Sequence, residues 1–595
     1  MVNTMKAKVS ILLISLISLV CCMVFFGRVK DITSPAMPTA SVKSGYYDEP
    51  FVLELSAHPG ETIYYTTDGS IPTEQSLRYE NGILISDRSS MPDIYNAIPR
   101  VIKDWKTFLP PETPANKGTI IRAVCINRFG YISEALTQTY FVGLIPPVGD
   151  TLSIIFREDD LFGENGIYVT GTEYDNWYLN PESTGKPPIP NFQQQMEVPA
   201  YIQLFNNRQT ILSQDVSLRI QGSTKRLWPK KQFILESEAD FSGNYCFNQP
   251  VYGNASTHSV MLKQEFIDAF AHDIAYDRSL ACQRSRPVSV YLNGEFWYDT
   301  YMLERYDKQY FKEYYDVKDA IVIKNGEIAE DTDDYYDFMN WVSNSDFSNP
   351  HTYQTLKSRI DIQSYIDYIA VNYYLANRDF AENKNYVLWR SPKSGGAGYN
   401  DGRYRWCIYD IDILYHTQNA SNINTFYCDT SLAGFVVRDL LLFRSFKQNP
   451  DYCKQFVLSF MDIVNNNFSL SNMERILKKY GYDLSWNNGF FVERPVYAVQ
   501  HLAEEFALSG TLETVSVSCS QPEGGSVILN TSCIDLSCGE WTGRYFTDYP
   551  ITVKAEPHDG FVFVGWKGAT VSTEPTITLP VDGGISLEAI FAPKL

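Results

Sequence analysis

Basic residues are scarce in this chain: 50 Lys plus Arg stand against 70 Asp plus Glu, for a net charge of -20 over 595 residues. Counterion release from a nucleic-acid backbone needs clustered cations, so nucleic acid is set aside as a partner. Histidine is sparse as well. Its 7 residues show no HExxH or HxxxH spacing, which removes the helical zinc-hydrolase pattern and leaves no basis for a Ser-His-Asp arrangement. The 11 cysteines are scattered and not grouped as CxxC pairs, so a zinc ribbon is unsupported. The phosphate-binding patterns GxGxxG and GxxxxGK(S/T) are both missing.

Long apolar runs are confined to the start. Lys6 and Lys8 precede Val9 to Phe26, a stretch without a charge at the lower edge of what spans a bilayer. Positive charge ahead of the run predicts that the rest of the chain is exported. No small-x-small cleavage site follows, and Leu19-Val20-Cys21-Cys22 makes a poor lipobox. An uncleaved signal anchor (1–27) is therefore favoured over a lipoprotein or a secreted product. An exported protein would allow a disulfide among Cys519, Cys533 and Cys538, which crowd the C-terminal end.

What is present is length and aromatic content: 41 Tyr and 34 Phe, in a chain that calls for about three or four domains. Residues 28–45 read as a linker with Ser34-Pro35 and Met37-Pro38. Strand-like Thr62 to Thr67 then runs into the turn Asp68-Gly69-Ser70, and Gly118 to Cys125 and Leu136 to Phe141 complete a small all-β sandwich over 46–145. The proline-rich stretch Ser86 to Lys117 reads as an insertion. In the last segment, 513–595, Ile551 to Ala555, Gly560 to Gly568 and Ile585 to Phe591 alternate with the period of half-buried strands. Trp566 and Phe563 there are expected in a core before a binding surface.

The central stretch, 146–512, mixes strands and helices and carries two segments with chemistry. In Asn377 to Tyr386, Asp379 precedes Asn385 by six residues, between an apolar helical pattern (Ile366 to Leu375) and the strand-like Tyr386 to Trp389. One loop can thus offer a general base and a neutral metal ligand. In Trp406 to Asp412, Asp410 and Asp412 lie two apart in a strand-like run, which predicts both carboxylates on one face. A hard divalent cation takes such oxygen donors together with substrate phosphates. Upstream, Gly222-Ser223-Thr224 leads into a cationic strand holding Arg226 and Lys231, a way to place backbone N–H groups and cations around phosphate.

Three resemblances follow from these strings. "ETIYYTTDGSIPT" with "GTIIRAVCINRFGYISEALTQTYF" resembles the C-terminal β-sandwich of chitobiase and β-hexosaminidase enzymes. "GGSVILN…ITVKAEPHDGFVFVGWKG…SLEAIF" resembles the internalin-type B repeat, a β-grasp-like surface module. "GSTKRLWPKKQF", "PVSVYLNGEFWYDTYMLERYDKQYF", "IVIKNGE", "NRDFAENKNYVLWR" and "RWCIYDIDILYH" occur in the order of the spore-coat-H (CotH) kinase family, which the central domain resembles. That last resemblance implies an α+β, atypical protein-kinase-like fold flanked by the two β modules, with ATP and Mg²⁺ or Mn²⁺ as cofactors. It implies that Arg226 and Lys231 contact ATP phosphates, that Glu304 orients the phosphate-binding lysine or the nucleotide, and that Asp379 deprotonates the substrate hydroxyl. Asn385, Asp410 and Asp412 would serve as metal residues, with Asn383 the other candidate for the amide ligand because the spacing from Asp379 to Asn385 is one residue longer than the family pattern implies. Phe296-Trp297-Tyr298-Asp299 departs from the family's Trp-Gly pair.

The expected function is an exported or surface-anchored kinase acting on hydroxyl side chains of surface or spore-coat proteins, with membrane contact through the N-terminal segment and glycan or wall contact through the β modules. The competing readings are a non-catalytic surface adhesin and a related aminoacyl or nucleotidyl transferase.

Overall fold

In a computed structural model of the protein, the described residues are 34–595 except 326, 329–331, 378, 379, 381–384, 412–419, 427–439, 538 and 595. The chain divides into two compact units, one running to Gln264 and including Arg286–Met302, the other comprising Glu265–Ser285 and the residues from Leu303 onward. The Val9 to Phe26 run lies outside the described residues. Among those described, no helix is long and apolar enough to cross a membrane.

The first unit is built from β-branched and aromatic runs. Thr119–Asn127 and Leu136–Val142 pair antiparallel and are buried along almost their whole length instead of alternating, as expected for strands covered on both faces. With Glu61–Thr66 on one side and the short Phe51–Leu53 and Ile83–Ile85 pair opposite, they enclose a core of Leu53, Ile63, Ile85, Ile121 and Tyr140.

Further along, the strands Glu197–Asn206, Asp150–Ile155, Ser285–Leu292, Glu295–Glu304, Ser259–Lys263, Gln232–Glu236 and Gln209–Gln221 follow one another, and the last pairs back onto the first. Closing the ring removes its sheet edges. Leu152, Ile202, Leu218, Phe233 and Val290 belong to its core.

The expected insertion between Ser86 and Lys117 is part of this ring's packing. Tyr95 and Val101 are buried in the same core as Leu152 and Phe233, apart from the sandwich core. The Glu295 carboxylate accepts the backbone N–H groups of Ile94 and Asn96, each at 2.7 Å. The prolines signalled an irregular path, and the apolar residues between them decide where it packs.

In the second unit a four-stranded sheet runs in the order Glu327–Ile328, Ile321–Lys324, Val387–Arg390, Arg405–Cys407. The helix Ile362–Tyr374, capped by Asp361 accepting from the Ser364 N–H at 3.3 Å, is buried on nearly every side. Trp406 to Asp412 was expected as one strand, but the strand ends at Cys407 and Asp410 takes a left-handed φ of 55°. The alternation that would align Asp412 with Asp410 is broken at that residue, and Asp412 itself lies outside the described residues.

Two four-stranded sheets make up the C-terminal module: Trp541–Phe546, Leu512–Cys519, Ile585–Pro593, Phe561–Gly568, and Ser532–Ile534, Gly525–Leu529, Ile551–Pro557, Thr576–Leu579. A β-grasp needs a helix across its sheet, whereas the helical element among the described residues here is the three-residue turn Pro522–Gly524. Buried alternating residues come from both sheets, Val515 and Val517 in one and Val527, Leu529 and Val553 in the other; each sheet's apolar face is thereby used. Trp566 is buried and donates its indole N–H to the Glu574 carbonyl at 3.1 Å, a core role. Cys519 and Cys533 are free thiols, and Cys538 lies outside the described residues.

Candidate functional site

One edge of the small sheet in the second unit gathers the residues of interest. Val387 pairs with Cys407 in an antiparallel ladder, so the start of one strand lies beside the end of the other. Asn385 sits two residues before the first strand and Asp410 three residues after the second, at that shared edge. Both are half-buried and both have left-handed backbones, φ 51° and 55°. Asn and Asp tolerate this conformation better than most side chains, and outside glycine it is uncommon enough to mark a built turn. A left-handed residue at a strand end turns the chain out of the ladder, and here it does so twice at one edge.

The turn at Asp410 is braced from below. The Ile411 N–H donates to Asp268 Oδ1 at 2.9 Å, and Asp268 is 2 % exposed on the helix Phe266–Ala275. Leaving the strand takes this amide out of the ladder, and a buried amide needs an acceptor. Tyr306 adds a second brace, its hydroxyl 2.8 Å from the Ile408 carbonyl.

At the same edge, Lys324 pairs with Val387, and Asn325 follows it with φ 53°. The Asn325 N–H donates to the Tyr386 carbonyl at 3.0 Å, and Asn325 Oδ1 accepts the Tyr386 N–H at 3.2 Å. Lys324 Nζ lies 4.7 Å from the centre of the Tyr409 ring. The resemblance implies no role for these two residues. The Asn-Gly step after a β-branched run was the available signal for a turn, but nothing local told which neighbouring strand it would clasp.

Glu304 is also in the second unit, 3 % exposed. Its carboxylate accepts the Arg284 N–H at 2.9 Å and the Tyr314 hydroxyl. Burial pushes its pKa up to about 7 against the pull of those two donors. A carboxyl so placed holds or releases a proton near neutrality.

Arg226 and Lys231 belong to the first unit, and both are buried. Arg226 donates to the carbonyls of Gly222, Gln194, Phe192 and Ile220 at 2.5 to 3.1 Å, bracing the turn Thr224–Leu227. Lys231 is 0 % exposed; its Nζ donates to the Val101 and Trp228 carbonyls at 2.6 and 2.7 Å and lies 4.1 Å from the Phe192 ring centre. Burial lowers its pKa to about 7, and a neutral amine's two N–H groups suit two carbonyls. For Lys231 to meet a phosphate from this arrangement it would exchange both partners. Its neighbour Lys230 is less buried, with Nζ 3.2 Å from the centre of the Trp297 ring, and burial lowers its pKa to about 7 too. Asp379, Asn383 and Asp412 lie outside the described residues.

Residues 218–485 match the family model described as CotH kinase protein. The range contains Arg226, Lys231, Glu304, Asp379, Asn385, Asp410 and Asp412, and with them the whole sheet edge described above. A second match, described as Fn3 associated, covers residues 51–140 and so most of the first sandwich. The chain thus contains a CotH kinase domain, which suggests a kinase-like protein, and an Fn3-associated domain; 513–595 lie beyond both matches. No curated protein matches the chain.

Proposed function

We propose that residues 218–485 transfer the γ-phosphoryl group of ATP to hydroxyl side chains of proteins. The observation that supports this reading is the shared sheet edge, where the strand that begins two residues after Asn385 pairs with the strand that ends three residues before Asp410, within the range matched as a CotH kinase domain. The two offer oxygen donors only and suit a hard divalent cation, Mg²⁺ or Mn²⁺, more than Zn²⁺; Asp412 is assigned to the same set. Held by these residues, such an ion would supply positive charge against the phosphates. Asp379 is assigned as the base: it accepts the hydroxyl proton as the substrate oxygen bonds to the γ-phosphorus and the bond to the β,γ-bridging oxygen breaks, with ADP leaving. Glu304, held by Tyr314 and Arg284, is assigned to orienting the nucleotide, and Arg226 and Lys231 keep the role the resemblance implies, contact with ATP phosphates.

The reading extends to location. Lys6 and Lys8 ahead of the Val9 to Phe26 run support export with membrane retention, and surface or spore-coat proteins are the substrates that then come within reach. The flanking β modules are assigned to surface or glycan contact.

The test is incubation of the purified full chain with labelled ATP and Mg²⁺, beside Asp379→Ala and Asp410→Ala. Label should pass to protein in the wild type and be lost in both variants while their melting profiles are kept. Equal labelling in all three would overturn the assignment. A wild type that binds glycan but neither binds nor consumes ATP would favour the adhesin.

A further inference from the structure

We propose that Tyr482, Trp486, Asn487 and Asn488 bind a neutral pyranose residue of a glycan. The site lies at and just past the end of the range matched as a CotH kinase domain, and it does not depend on the kinase reading.

The turn Asp483 to Gly489 carries the first step. Asn487, Asn488 and Gly489 take left-handed backbones in succession, with φ of 53°, 56° and 74°. Single left-handed residues are usual in turns, but a run of three is not, because the Cβ of an L-residue crowds its own backbone there. The turn is held from inside. Ser485 donates its N–H and hydroxyl to Asp483 Oδ1 at 2.8 and 2.5 Å, and the Gly489 N–H donates to the Ser485 carbonyl at 3.2 Å. Asparagine visits this conformation in part because its short side chain can bond locally. Neither amide does so here: among the described residues, the side chains of Asn487 and Asn488 have no hydrogen-bond partner. Two carboxamides, each able to donate and to accept, thus stand on a fixed backbone with that capacity unspent.

Aromatic rings carry the second. Tyr482 is 40 % exposed and stacks on Phe266, ring centres 4.4 Å apart and planes at 22°. Trp486 is half-buried, backed by Phe266 at 5.3 Å and Phe491 at 6.0 Å, and its ring lies 6.1 Å from that of Tyr482. The Tyr482 hydroxyl and the Trp486 indole N–H also lack a hydrogen-bond partner among the described residues. A rigid aromatic surface edged by a few unspent polar groups has the make-up of a ligand site.

Charge decides the class of ligand. Lys479 pairs with Asp273 at 2.6 Å and Asp483 is taken up by Ser485, so the charges flanking the rings in sequence are already partnered. An uncharged ligand with an apolar face and a rim of hydroxyls fits what remains. A pyranose ring has both, its axial C–H bonds facing the aromatic rings and its hydroxyls exchanging hydrogen bonds with the amides. A peptide would ask for a strand edge or a groove, which this turn does not supply.

The experiment is calorimetric titration of the full chain with two neutral probes, the β-1,4-linked tetrasaccharides of glucose and of N-acetylglucosamine. At least one should bind. Tyr482→Ala should weaken that binding by about tenfold or more, as expected for an aromatic anchor. Asn487→Gly keeps the left-handed backbone and deletes the amide; it should cost about three- to tenfold, the range of one neutral hydrogen bond. Trp486→Phe keeps a ring, so it should still bind, but the sugar-induced change in tryptophan emission should disappear. Melting temperatures should stay near that of the wild type, and if Tyr482→Ala does not fold, Asn487→Gly decides alone. A wild type that binds neither probe overturns the site. Variants that bind as tightly as the wild type overturn it too, since the sugar then sits elsewhere on the chain. Self-association of the wild type in sedimentation that Tyr482→Ala abolishes, without sugar binding, would make the rings an interface between copies and also overturn it. No arm uses ATP, so failure of the kinase reading leaves this inference standing.

Discussion

Lys231 in the first unit and Arg278 in the second are both cut off from water, yet carbonyl oxygens surround one and carboxylates the other. Lys231 spends its N–H groups on Val101 and Trp228, and burial takes its pKa down. Arg278 has a side chain 1 % exposed and donates to Asp367 Oδ1, Ser459 Oγ, Thr531 Oγ1 and Ser532 Oγ at 2.7 to 2.9 Å. Burial pulls its pKa down, but Asp367, with Asp462 and Asp277 behind it, outweighs this and the guanidinium titrates higher than usual. Asp462, fully buried, accepts from Asn530, Thr531 and Tyr545 of the C-terminal module at 2.6 to 3.0 Å. The carbonyl pocket tolerates a neutral amine and joins Lys231 to Val101 and Trp228 within the first unit. The ionic one requires its charges together and ties the helices Ile362–Tyr374 and Pro450–Asn465 to the turn Asn530 to Ser532. That module, read from the sequence as a separate domain, is therefore bound into the second unit by its most buried polar groups.

The comparison breaks hardest at Arg278. Arg278→Met should strand Asp367 and Asp462 in the interior and cost about 3–5 kcal/mol, read from urea unfolding of the full chain. A loss as small as that of an exposed ion pair would mean water enters the network freely.

Lys231→Met should cost less, about 1–3 kcal/mol, because it leaves two carbonyls unsatisfied but no charge. Its signature is pH dependence. Below about 7 both folded and unfolded chains hold the proton, and between about 7 and the ordinary value of 10.5 only the unfolded chain does, so wild-type stability climbs with pH across that window. The variant should climb less steeply, the remaining slope belonging to Lys230.

Glu304 gives the opposite sign. Its folded pKa of about 7 lies above the ordinary 4.5, so the folded chain holds the extra proton between them and its stability falls as pH rises through that range. Glu304→Gln should flatten this fall in melting temperature measured from pH 4.5 to 7, and an unchanged slope would show that the carboxylate is better solvated than its burial indicates.

The smallest effect is expected where the C-terminal module meets water. Asn465 and Arg544 exchange two hydrogen bonds, at 2.9 and 3.1 Å, at an exposed site. Asn465→Ala should cost about 0.5–1.5 kcal/mol; a loss equal to that of Arg278→Met would place the hold on the module at its rim and not at the buried charges.

Local pattern determined a good deal by itself. Apolar periodicity fell on the helix Ile362–Tyr374, and β-branched and aromatic runs fell on Leu136–Val142 and Ile585–Pro593, because burial of one face or both is written into residue order. Asn385 was legible as an oxygen donor ahead of a strand, and Asp410 as one, though it was read as lying within the strand and not after its end. Tertiary structure alone decided the rest. That Asp410 leaves its strand in a left-handed turn depends on Asp268, far back in the chain, being there to accept the next amide. The burial of Lys231 depends on Val101 arriving from the expected insertion, and the two-sheet form of the C-terminal module depends on which faces meet. Each of these is a pairing between segments distant in sequence, and a polar group's partner, unlike its periodicity, leaves no mark in the residues around it.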